Sequence, residues 1–418
     1  MNKAAAWSLV VLVPAGAAAV WFATRGPAAE QTAEVASSAP TAAPAPSEAP
    51  PKKEPEPWDP GKPTPEVRAE RTAIEEIGKK GEYSAENEAK LVKALEHFDQ
   101  DVRGHGAWGI GVLAPKSRAA LPALIKALGD EIWAVQHNAA WSLAKFDRSE
   151  TEALLLAALE DPHPTRRIRS AKALLDLNAK DFTPKVEPVL LKSFEEAATQ
   201  PKTVALQAMG KLSPPSESSV ALLASSVASE LDEVATNAVQ ALAELGPAAQ
   251  SAIPALCSAH KHKKQDVRIG VATALGAMGV RSPLVVETLI AMLDDTKDNP
   301  ADKAAQSLAQ LEAWDELDKA FATQGPRTRR FIVSAWRVGT TEEARRVERL
   351  IAALSDADPA VRLAAAGGFL DRDSAEAVPA LAKAMGDSDN AVAGHARSAL
   401  ERMSNPAAKA ALAQKGNP

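Results

Sequence analysis

Residues 252–279 read AIPALCSAHKHKKQDVRIGVATALGAMG, and this stretch decides the fold. Ile253, Leu256 and Cys257 recur at helical spacing, and Pro254 sits in a first turn, where a missing N–H costs little. A polar, basic run follows from His260 to Lys264. Val267, Val271, Ala274 and Leu275 then mark the apolar stripe of a second helix. The stretch therefore predicts two short amphipathic helices joined by a turn. Two such helices cannot bury their own apolar faces; stacked copies can.

Copies are present. DEVATNAVQALAELG begins at Asp232 and PAVRLAAAGGFL at Pro359, and both share V-[RA]-x-x-[AV]-[AV]-x-[AG]-[LF] with the stretch from Val267. VALLASSVASE and VERLIAALSD precede them as first helices. The unit recurs about every 30 residues. It divides the chain into 88–113, 119–147, 151–180, 182–214, 216–247, 248–280, 282–313, 314–340, 341–373 and 374–405, with weaker matches around 300 and 330. Pro122 and Pro379 repeat the first-turn proline, and Asp266 and Asn390 are expected as caps of second helices. Arg103, Arg268 and Arg362 each follow the motif valine and are expected as struts to nearby acids such as Asp266 or Asp358.

On these residues the chain resembles the HEAT repeat family, in the short form also found in phycobilin lyases. AVPALAKAMGDSDNAVAGHARSAL near the C-terminus carries the likeness as clearly as the opening stretch. It covers 88–405 and implies an all-α, right-handed α-solenoid of about ten hairpins. Residues 66–87, with Ile74 and Ile77, are expected as a capping helix, and 406–418 as a C-terminal tail. The likeness extends to the fold alone. No lyase-type cysteine arrangement, Ser-His-Asp set or paired carboxylate stands out, and no His-Glu dipeptide of the HEAT-like di-iron hydroxylases occurs.

Composition agrees with helices. Of 418 residues 46% are hydrophobic but only 4% aromatic, so alanine and leucine dominate the apolar content. A formal net charge of −6 provides no global basic field for nucleic acid. The single Cys257 excludes an intrachain disulfide, and its apolar setting predicts inert core. Residues 4–24 form an uncharged, mostly apolar run closed by Arg25, long enough to span a bilayer. A signal anchor and a cleaved signal peptide within residues 1–25 both remain open, and both carry the rest across the membrane. Residues 26–65 are rich in Ala, Pro, Ser, Glu and Lys and are expected as a disordered spacer. The expected location is the cell envelope, with an inner-membrane anchor and the repeats on the periplasmic side.

One motif competes with this reading. Gly104, Gly106 and Gly109 spell G-x-G-x-x-G. A dinucleotide fingerprint needs a preceding strand, and LVKALEHF before it has helical period. The glycines align instead with the second helix of the first repeat. Trp108 and Trp141 occupy equivalent places in the first two repeats, with His105 and His137 nearby and Trp133 close in sequence. Later repeats put small or modest residues on the corresponding face, including Thr273 and Gly367. Two readings stay open: an aromatic patch that anchors a protein or peptide partner, or indoles packed under the capping helix near Tyr83 or against each other. His97, His105 and His137 lack a carboxylate at ligand spacing, so no metal or cofactor is expected. The basic turns at 164–169, 260–264 and 325–330 read as solvated loops. The function expected is a membrane-tethered binding scaffold and not an enzyme. A structural envelope spacer and an enzyme of lyase or hydroxylase type are the alternatives.

Overall fold

The computed structural model describes residues 63–415, which contain helices and no strand. The expected anchor and most of the expected spacer lie outside the described residues. No described helix is long and apolar enough to cross a membrane.

Helix α1 (Pro65–Lys80) precedes a series of hairpins. These pair α2 (Ala85–Ala94) with α3 (Gln100–Leu113), α4 (Leu121–Ala127) with α5 (Trp133–Leu143), and α6 (Arg148–Ala157) with the first half of α7 (Pro164–Glu196). The second half of α7 pairs with α8 (Thr199–Met209). There follow α9 (Glu217–Ser226) with α10 (Asp232–Leu245), α11 (Ile253–Ser258) with α12 (Gln265–Ala277), and α13 (Pro283–Met292) with α14 (Asp298–Gln310). The last are α15 (Trp314–Thr323) with α16 (Pro326–Val338), α17 (Glu343–Ala353) with α18 (Pro359–Gly367), and α19 (Val378–Ala384) with α20 (Asn390–Arg402). The segment expected as a C-terminal tail contains α21 (Pro406–Lys415), which packs on α19 and α20 and buries Ala408.

The helices form because their apolar stripes meet. Val267, Val271, Ala274 and Leu275 of α12 are fully buried, as are Val135, Ala139 and Ile168 at similar places elsewhere. Helix α7 passes through two repeats because its bend is a single non-helical residue, Asn178, whose side chain bonds Asp181 at 2.6 Å. Pro122, Pro254 and Pro379 lie in first turns as their sequence positions predict. The caps fall differently. Asp389, not Asn390, accepts the N–H groups of Ala391 and Val392 at 2.9 and 3.1 Å. Helix α12 starts at Gln265 after Lys264, so Asp266 lies inside its first turn and caps nothing.

A ladder of ion pairs ties neighbouring repeats. Arg103 grips Asp130 through Nε and Nη2 at 2.7 and 3.0 Å, and its Nη1 donates to the carbonyls of His97 and Phe98. Arg268 with Asp295, Arg329 with Asp356, and Arg362 with Asp387 repeat this geometry. The arginines are struts as expected, but their acids differ from Asp266 and Asp358. Each partner belongs to the turn of the following repeat, where the aspartate also accepts the N–H two residues on. Arg71 of α1 grips Asp99 in the same way, at 2.9 and 2.7 Å. Helix α1 thus occupies the place of a second helix ahead of the first full hairpin.

Candidate functional site

Helices α3 and α5 position the residues that the sequence singles out. Gly106 and Gly109 let α3 lie against Leu91 and Ala94 of α2; a methyl group on either would approach α2 to less than 3.0 Å. These glycines therefore serve helix packing. Trp108 is half-buried with its ring on Gly78 of α1, where an added Cβ would sit 2.3 Å from it. Trp141 repeats the arrangement one helix further on. Its ring lies over Gly111 of α3, and its exposure is 38%. Lys145 Nζ stands 4.8 Å from the centre of that indole. Each of these tryptophans has a glycine seat on the preceding helix.

Trp133 and His137 are more open. Trp133 is 59% exposed and stacks on His137, with ring centres 4.9 Å apart and planes 18° from parallel. His105 is half-buried; with Lys79, the stronger influence, it holds the Glu75 carboxyl below its ordinary range. His97 accepts the Asp99 N–H through Nδ1 and lies 3.3 Å from Glu70. The histidines thus have separate surroundings, and no metal-binding group of three His, Cys, Asp or Glu occurs among the described residues. Cys257 is buried, and burial pushes its thiol pKa up.

Every exposed aromatic side chain among the described residues lies between positions 83 and 141: Tyr83, Phe98, Trp133 and Trp141. Beside them is a break in the stack. Successive second helices pack along one another, from α3 on α5 and from α8 through to α20, whereas α5 and α7 scarcely touch. A cavity of about 500 Å³ opens there. Trp133, His137 and Leu143 line it from α5, Leu155 from α6, and Arg169 and Leu177 from α7. Trp108, Trp141 and His105 do not line it.

The basic run 164–169, expected as a solvated loop, forms the first turns of α7 and ends at Arg169. Its neighbours are engaged: Arg166 pairs with Asp161 at 2.6 Å, and Arg167 donates to Ser193 at 2.8 Å and pairs with Glu196. Arg169 Nε and Nη2 are shut off from solvent and bond nothing. Burial pushes its guanidinium pKa down to about 10, so it remains charged at neutral pH. The strut register gives its place in the repeat. Arg167 bonds the carbonyls of Asp161 and Pro162 as Arg268 bonds those of His262 and Lys263, so Arg169 stands where Gly270 stands three repeats on. Gly270 is pressed so close to Val239 that an added Cβ would lie 2.1 Å away. The available signal was a second arginine two residues after the strut arginine, readable only once the strut register is known.

A profile of HEAT repeats matches residues 88–175, 121–210, 219–309 and 347–415. No curated protein matches the chain. Among solved structures, karyopherin Kap121p bound to the extreme C-terminus of the protein phosphatase Cdc14p is similar, with a TM-score of 0.56 and 16% identity over 85% of this chain and 47% of that one. Kap121p bound to the SUMO protease Ulp1p gives 0.56 and 16% over 84% and 46%. Kap121p bound to Nup53p gives 0.54 and 17% over 83% and 44%. The chain spans less than half the length of these Kap121p chains, and at such identity the likeness is one of fold. The repeat profile covers more than half of the chain, its helices stack as successive hairpins, and the chain belongs to the HEAT repeat family.

Proposed function

We propose that the chain is a protein-binding scaffold whose partner docks on the first two repeats, with Trp133, Trp141 and His137 as anchors and Trp108 and His105 behind them. The observation that carries this reading is the confinement of all exposed aromatics of the described residues to positions 83–141. Packing does not demand them there. The module α3–α5 recurs five repeats on as α12–α14, with its framework intact: Ser142 donates to the Ala107 carbonyl and Ser307 to the Ala272 carbonyl, both at 2.7 Å. At the open positions Trp133, His137 and Trp141 give way to Asp298, Asp302 and Gln306. Large aromatics on such a face are typical binding anchors. Kap121p, whose fold is similar, is bound to the extreme C-terminus of Cdc14p, to Nup53p and to Ulp1p in its structures.

The apolar run at 4–24 tethers this scaffold to the inner membrane and places the right-handed stack of repeats on the periplasmic side, at the end of the spacer. A photo-crosslinking residue at Lys145, in intact envelopes, is expected to give discrete protein adducts. One at the equivalent Gln310 is expected to give none. Equal adducts from both positions would contradict a local binding face. Retention of the full chain in carbonate-washed membranes tests the tether, and a soluble chain beginning near Val20 would remove it.

A further inference from the structure

The cavity between α5 and α7 contains a cation with no counter-ion of its own. Asp176 is the acid on its wall, and Lys172, at 2.9 Å, and Lys211 both bond it already. Arg169 remains, with two nitrogens buried and unpaired. A buried charge without a partner is costly. Leu143, Leu155, Leu177 and Val204 give the lining its apolar part, beside threonine and glutamine side chains and the Trp133–His137 stack. About 500 Å³ is in the range of small-ligand sites and too small for a folded element.

We infer that this cavity receives the C-terminal residue of a peptide chain, its carboxylate on Arg169 and its apolar side chain among the leucines. A C-terminal residue carries both groups on one Cα, so a single residue satisfies the guanidinium and packs on the apolar part of the lining. Rotation about the terminal torsions of Arg169 turns its planar fork to the carboxylate, which accepts two N–H bonds. Only the N-terminal direction of the peptide then leaves the cavity, across Trp133. An internal Asp or Glu would bring two backbone arms into the same space of about 500 Å³, where a C-terminal residue brings one. The inference rests on the protein-binding reading above and names the part of the partner that this site takes.

The test uses the whole chain and N-acetylated tripeptides ending in Leu, Phe or Trp, each as free acid and as C-terminal amide. Calorimetric titration is expected to show the acids binding and the amides about tenfold weaker or worse, the value of a charge-assisted bond. Arg169→Met is expected to erase that difference while leaving the melting temperature unchanged or higher, because an unpaired buried charge has gone. Acids and amides binding alike, or not at all, would overturn the site. So would a clear fall in melting temperature for Arg169→Met, which would make the arginine a strut. Phenylacetate binding as tightly as the peptides would make the ligand a small acid. Crosslinks from position 145 that persist while acids and amides bind alike would leave the binding face standing and remove the carboxylate site. Acid-selective binding without such crosslinks would do the reverse.

Discussion

Gly111 lacks a side chain because Ser142 and Trp141 need its space: a Cβ there would lie 2.3 Å from the Ser142 hydroxyl and 2.7 Å from the indole. Gly111→Ala should therefore lower the melting temperature. Overpacking costs about 1–3 kcal/mol and outweighs the gain in helix propensity of up to ~1 kcal/mol. Gly394 of α20 provides the contrast, since nothing lies within 4 Å of its Cβ position. Gly394→Ala should raise the melting temperature by the propensity gain alone. Thermal melts of the two variants check both signs. The difference was not legible in the sequence, where Gly104, Gly106, Gly109 and Gly111 form one undifferentiated run. What a glycine meets depends on a helix some 30 residues away.

At the scale of elements, the joints between repeats are built from charge. Arg71 holds the Asp99 carboxyl below its ordinary range, and Arg362 does so for Asp387. A carboxylate whose pKa is lowered by folding stabilises the fold above its unfolded pKa of ~3.9, and that contribution fades as pH falls through the lower folded value. Asp387→Asn should cost about 1–3 kcal/mol at pH 7, because Arg362 loses both charged bonds. The gap between wild type and variant should close as the pH is taken below ~4 in a series of urea melts. Hairpins, first-turn prolines and strut arginines were legible because they follow local spacing. The strut partners were not. Asp130, Asp295 and Asp387 lie about one repeat beyond their arginines, and the stacking offset that unites them is a tertiary quantity. The misplaced caps at Asp266 and Asn390 have a simpler cause: helix starts shift by a residue without changing the apolar period.

Across the whole stack, each repeat leans on its neighbours and on little else. Leu275→Ala removes a fully buried side chain from α12, at a cost of about 2–5 kcal/mol. Hydrogen exchange should quicken around 248–313 and leave 88–147 protected, the more so because the α5–α7 break lies between them. Uniform quickening would show that the repeats do not act as nearest neighbours. The repeat architecture was legible from period alone. The cavity was not, because it arises where a regular contact between neighbouring second helices fails, and that contact is tertiary. The aromatic face was legible as residues, yet not as two kinds: Trp108 and Trp141 seated on glycines, Trp133 and His137 open beside the cavity. The most direct test of the binding face exchanges its side chains for those that the same module carries five repeats later. The triple variant Trp133→Asp, His137→Asp, Trp141→Gln keeps every framework residue of α3–α5. The account predicts that partner adducts from position 145 disappear while helical circular dichroism and melting temperature stay near wild type. Adducts that persist, or a collapse of the fold, would contradict it.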